Sequence, residues 1–112
     1  MVRRYVPEAG DIVWLYFDPQ AGHEQAGHRP AVVLSPASYN DKTGLMLCCP
    51  LTTHIKGYPF EVEVAGERSS AVLADQVKSL DWKARKAEFK GSISASELSG
   101  VRLMATSLIG KP

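Results

Sequence analysis

A small, mainly β barrel or strongly curved sheet, with one helix laid over its side, is the architecture predicted by this sequence of 112 residues. Two observations carry the prediction. Six or seven short β-branched or aromatic runs follow one another, each closed off by turn residues. A sustained helical periodicity emerges only near the C-terminal end.

The first run, Ile12 to Phe17, lies between Gly10-Asp11 and Asp18-Pro19 and reads as a strand. Trp14 within it is assigned to the core rather than to a base-stacking platform, because aromatics in an apolar strand usually pack inward. Ala31 to Leu34 is the second run, closed by Ser35-Pro36. That pair resembles an N-cap followed by proline at the first helical position, so Pro36 to Asn40 is expected to form one or two helical turns. Leu45 to Leu51 makes a third strand. Phe60 to Val64 alternates strictly, the pattern of a strand with one wet face. Ser70 to Leu73, Val77 to Leu80 and Glu88 to Ile93 complete the set. For the terminal helix, Ser94 followed three residues later by Glu97 fits a capping box. Leu98, Val101, Ala105 and Leu108 then recur at helical spacing, widened by Met104 and Ile109. Gly110 stands where a helix-ending glycine belongs, and Pro112 cannot continue the helix.

An apolar fraction of 45% and a charged fraction of 22% exclude disordered and fibrous classes. One compact domain spanning 1–112 is expected, with no repeat or linker to divide it. Thirteen Lys and Arg against twelve Asp and Glu leave a formal charge of +1, so any phosphate-binding surface must arise locally. Lys78, Lys83, Arg85, Lys86 and Lys90 against only Asp81 and Glu88 form the one basic stretch. No signal-like segment opens the chain, and no apolar run approaches the roughly 20 residues that span a bilayer, so a cytoplasmic protein is expected. The adjacent Cys48 and Cys49 would point to opposite faces of a strand and read as buried structural thiols.

The connection from Asp18 to Pro30 is longer than a hairpin needs and concentrates reactive side chains: His23, Glu24, His28 and Arg29. A second polar cluster, Thr52-Thr53-His54-Ile55-Lys56, follows the third strand. If the second and third strands pair antiparallel, Thr53 comes near Arg29. Metal-assisted hydrolysis is poorly supported, because His23, His28 and His54 lack ligand spacing and no HExxH pattern is present. GxSxG and a phosphate-cradling glycine loop are also absent. RNA cleavage fits better. RNA brings its own nucleophile, the 2′-hydroxyl, so the protein need only move protons and stabilise a charged phosphorane. Taken alone, however, these residues do not select RNA over another phosphodiester or an acyl substrate.

At these residues the sequence resembles the MazF/PemK (Kid) family of toxin ribonucleases, and most the MazF branch. The matching segments are Gly10 to Trp14, Phe17 to Pro19, Gly22 to Ser35, Pro50 to Thr53, Lys56 to Phe60 and Ala74 to Ser79. The resemblance implies an SH3-like barrel with a short helix and a C-terminal helix, acting as a homodimer. It implies sequence-selective cleavage of single-stranded RNA to 2′,3′-cyclic phosphate and 5′-hydroxyl ends, without metal or cofactor. It further implies neutralisation by an antitoxin with an acidic, disordered tail. Carried onto this chain, Arg29 becomes the acid–base residue, Thr53 the phosphorane stabiliser and Glu24 an acidic loop residue of the catalytic set. Asp18, His28, Lys56, Gln76, Lys78 and Arg85 are assigned to the RNA path. Unaided chemistry would instead make His28 the proton shuttle, since an arginine with a pKa above about 12 is a poor base. The alternative function is an SH3-like module acting without catalysis, either as a gyrase-poison-like toxin or as an RNA- or peptide-binding adaptor.

Overall fold

The computed structural model describes residues 4–17, 27–66 and 68–111. Among the described residues, seven antiparallel strands form one strongly bent sheet: β1 (Asp11–Tyr16), β2 (His28–Val33), β3 (Leu45–Thr52), β4 (Glu61–Val64), β5 (Ser70–Leu73), β6 (Lys78–Asp81) and β7 (Glu88–Ser92). Helices α1 (Ala37–Thr43) and α2 (Ala95–Ile109) accompany them, with a 3-10 turn at Ala74–Gln76. The strand order is β4-β5-β3-β2-β1-β7, with β6 also pairing β3. The expected mainly β fold with a terminal helix is therefore what the chain adopts.

The long strand β3 does the bending. Its first half, Leu45 to Cys48, pairs with β6, and its end, Leu51-Thr52, pairs with β5. The 3-10 turn between β5 and β6 carries the chain from one partner segment to the next. Because side chains alternate along a strand, the curved sheet has two cores. Val13, Leu15, Phe17, Ala31, Val33, Met46 and Cys48 enclose Trp82 on one face. Val32, Leu34, Cys49, Leu51, Val64 and Val72 meet Val101 of α2 on the other. Cys48 and Cys49 are both free, fully buried and divided between these cores, as their adjacency predicts. Burial pushes both thiols up to about 12.

Helix α2 carries the full capping box: the Ser94 side chain accepts from the Glu97 amide, and the Glu97 carboxylate accepts from the Ser94 amide. The same carboxylate accepts from Ala65 at 2.7 Å, and these backbone donors hold Glu97 below the usual carboxylate range. The apolar stripe is shorter than its periodicity suggests. Val101 and Ala105 are buried, but Leu108 and Ile109 are exposed, because α2 packs on β4 and the 3-10 turn and then runs past them.

The entry to α1 also differs from expectation. Pro36, not Ser35, is the N-cap, and the helix continues to Thr43 before Gly44 ends it at φ +75°. Ser35 is engaged elsewhere. Its hydroxyl donates to Asn40 Oδ1 at 2.6 Å and accepts from the Leu47 amide at 2.9 Å. Asn40 Nδ2 in turn donates to the carbonyls of Pro7 and Ser35, and Trp82 Nε1 donates to the Asn40 carbonyl at 2.8 Å. This fully satisfied network locks β2, β3, α1 and the N-terminal segment together.

Candidate active-site cleft

The β2–β3 ladder runs from Val33↔Cys48 to Ala31↔Pro50 and then stops. Pro30 and Pro50 stand at that end, and neither has an N–H to donate. Beyond them β2 continues on β1 alone, while β3 turns onto β5. The diverging strands open a cleft of about 770 Å³. Gly27, His28, Arg29 and Pro30 form one wall and Leu51, Thr52 and Thr53 the other.

Arg29 and Thr53 thus face one cavity from separate strand ends, as the antiparallel argument requires. The sequence, however, places His28 and Arg29 in a loop. Both lie on β2 in the structure, paired with Tyr16 and Leu15 of β1. The register with β1 extends the strand through residues too polar to announce it. Thr52 Oγ1 accepts from the His54 amide at 3.0 Å and so shapes the turn that presents the exposed Thr53.

Of the remaining predicted residues, Asp18 and Glu24 lie outside the described residues, as does His23. Lys56 sits on the β3–β4 connection with its ammonium 5.8 Å from the Tyr58 ring, outside the cleft lining. The Glu61 carboxylate accepts from the Lys56, Gly57 and Tyr58 amides and shapes this connection. Gln76 closes the 3-10 turn. Lys78 on β6 holds its ammonium 5.5 Å from the Phe17 ring, and Arg85 Nη1 donates to the Tyr16 carbonyl at 2.9 Å. Lys78 and Arg85 therefore gather at the end of β1, a second basic site beside the root of the 18–26 segment rather than inside the cleft.

Several cleft residues escaped the sequence reading. Trp14 is not core: it lines the cleft and stacks on His28, ring centroids 5.4 Å apart and planes at 22°. Tyr16 follows, 4.5 Å from the same imidazole. The alternation explains this, since Val13 and Leu15 point inward and residues 14 and 16 cannot. Arg68, on the β4–β5 connection, and Lys90 add cations to the lining. Among the described residues lining the cleft there is no carboxylate, so a protein of charge +1 concentrates positive potential where Arg29 and Thr53 meet. The described residues contain no group of three His, Cys, Asp or Glu suited to a metal ion, and no helix long and apolar enough to cross a membrane.

Comparison with known proteins places these features. A family model described as PemK-like, MazF-like toxin of type II toxin–antitoxin system matches residues 8–107. The chain is 58% identical to the endoribonuclease toxin MazF of Escherichia coli K12 over 111 residues, 98% of this chain and 100% of that one. Among solved structures, MazF from Deinococcus radiodurans superposes with a TM-score of 0.92 at 55% identity, covering 96% of this chain and 100% of the other. The MazE-MazF structure from the same organism gives 0.85 at 48% identity, with coverage of 97% and 100%.

Proposed function

This chain belongs to the PemK-like, MazF-like toxin family of type II toxin–antitoxin systems, and on that premise we propose that the cleft between β2 and β3 cleaves single-stranded RNA. The protein is a metal-independent endoribonuclease toxin. The observation that carries the reading is the convergence of Arg29 and Thr53 from two strand ends on a cleft lined with cations.

The chemistry needs no nucleophile from the protein. The 2′-oxygen of the substrate gives up its proton and bonds to phosphorus, the bond from phosphorus to the 5′-oxygen breaks, that oxygen takes up a proton in its place, and the products are a 2′,3′-cyclic phosphate and a 5′-hydroxyl. The planar fork of guanidinium donors on Arg29 suits the phosphorane and the departing 5′-oxygen. Thr53 supplies a further hydroxyl donor from the opposite wall. Two residues can accept the proton of the 2′-hydroxyl: Glu24, following the family motif, and His28, which stands in the cleft. Lys78 and Arg85, with Asp18, Lys56 and Gln76, are assigned to the path of the strand beyond the scissile phosphate.

The protein acts in the cytoplasm, where its substrate is, as a homodimer, and an antitoxin with an acidic tail silences it. The MazE-MazF structure supports a partner of that kind, and the basic cleft suits an acidic tail. The test is cleavage of a transcript pool in EDTA followed by end mapping. Fragments with cyclic phosphate ends are expected; their absence overturns the reading. Glu24→Gln and His28→Gln then identify the base, because its loss removes the acidic limb of the pH–rate profile.

A further inference from the structure

Trp14 and Lys90 line the cleft, yet neither has a part in the cleavage chemistry above. Along β1 and β7, Ile12 faces Gly91 and Val13 faces Phe89, which leaves Lys90 as the extra residue of a β-bulge. A bulge re-aims a side chain, and here the Lys90 ammonium comes to 5.5 Å from the centre of the Trp14 ring. β7 and β2 flank β1 on opposite edges, so Lys90 and His28 reach Trp14 from opposite sides. The result is a ladder in the order Lys90, Trp14, His28, Tyr16, with Lys90, His28 and Tyr16 exposed.

We propose that the Trp14 face covered by Lys90 is a seat for one RNA base, and that base and ammonium exchange places on binding. This rests on the RNA-cleaving reading above. Magnitudes favour the exchange. An exposed lysine over an aromatic ring is worth roughly 2- to 5-fold in an equilibrium, whereas a base stacked on an aromatic side chain is worth roughly 5- to 150-fold in affinity. The displaced ammonium is not wasted. Anchored at the bulge beside the seat, it neutralises the phosphate next to the stacked nucleotide. His28 and Tyr16 back the indole from the other side and hold it upright, so the seat is formed before RNA arrives.

The experiment uses the full-length protein and an oligonucleotide spanning a mapped cleavage site, with a 2′-deoxy sugar at the scissile nucleotide to prevent reaction. Binding is expected to change tryptophan emission, and Trp14→Phe to abolish that change while keeping most of the affinity. An abasic scan is expected to weaken wild type by roughly 5- to 150-fold at one position. In Trp14→Ala that position becomes indifferent. Lys90→Gln is expected to flatten the dependence of log affinity on log salt by about 0.7, the contribution of one phosphate contact to a single strand. An emission unchanged by binding, or an equal loss by Trp14→Ala for intact and abasic strands, overturns the seat. An unchanged salt slope in Lys90→Gln overturns the exchange. If wild type cleaves RNA and the scan is flat, only this inference fails; if wild type does not cleave, the functional reading fails first.

Discussion

The two ends of the β2–β3 ladder are built on opposite principles. At the Val33↔Cys48 end, Ser35, Asn40 and Trp82 satisfy one another's polar groups and bury them completely or nearly so. Beyond Ala31↔Pro50 the strands part, and cations and aromatic faces are left open to water. One end holds the sheet together so that the other can gape.

Four experiments press on that contrast. The largest effect is expected at the open end. Arg29→Ala should lower the cleavage rate by roughly 100- to 1,000-fold, the usual cost of losing one donor to a developing oxyanion, with denaturant stability almost unchanged. Single-turnover kinetics beside urea unfolding check both halves, and intact activity in that variant would remove Arg29 from the catalytic set. Asn40→Ala should do the reverse. It strands the Ser35 hydroxyl and the Pro7 carbonyl, so a loss of about 2–4 kcal/mol in stability is expected, with the rate per folded molecule preserved.

High pH probes the closed end of the ladder and the pair beside it. Cys48 and Cys49 keep their protons in the folded protein, and Tyr5 shifts in the same direction through burial and its hydrogen bond to Asp11. Raised values mean that this stability is complete below the ordinary thiol range and drains away as pH climbs from about 9 toward 12. The slope is at most about 1.4 kcal/mol per thiol per pH unit. Unfolding free energies at pH 8 and pH 10.5 should show the fall; a flat profile would mean that water reaches the thiols. The smallest effect belongs to a site remote from both ends. Ser94→Ala removes the cap of α2 and should cost about 1 kcal/mol without touching cleavage.

The sequence revealed most where local rules and tertiary packing agree. Ser94 and Glu97 announce their helix start, and Cys48-Cys49 announce a strand buried on both faces. It revealed least where pairing overrides pattern. His28-Arg29-Pro30 carries no apolar period, so only the register with Tyr16, Leu15 and Trp14 makes it a strand. The run from Ile12 to Phe17 is apolar at every position and could not say which residues face inward, which is how Trp14 was misplaced. Arg29 and Thr53 were legible as neighbours through the antiparallel pairing of the second and third strands, and as a site only through the family motif. Lys90 was legible only as part of the basic stretch, not as the neighbour of Trp14, although Gly91 beside it is a weak mark of a bulge. The stripe of α2 overran because periodicity records the helix, not the extent of the surface beneath it.

The division of Cys48 and Cys49 between two cores has a consequence for survival under oxidants. A sulfur must be both exposed and ionised to form a sulfenic acid or a mixed disulfide with glutathione, and these two are neither. Their side chains lie on opposite sides of the sheet, so they are also turned away from each other. Peroxide that inactivates exposed-thiol enzymes should therefore leave both residues untouched. A growth-arresting nuclease with this core would keep its activity through the oxidative stress in which a cell has reason to stop growing.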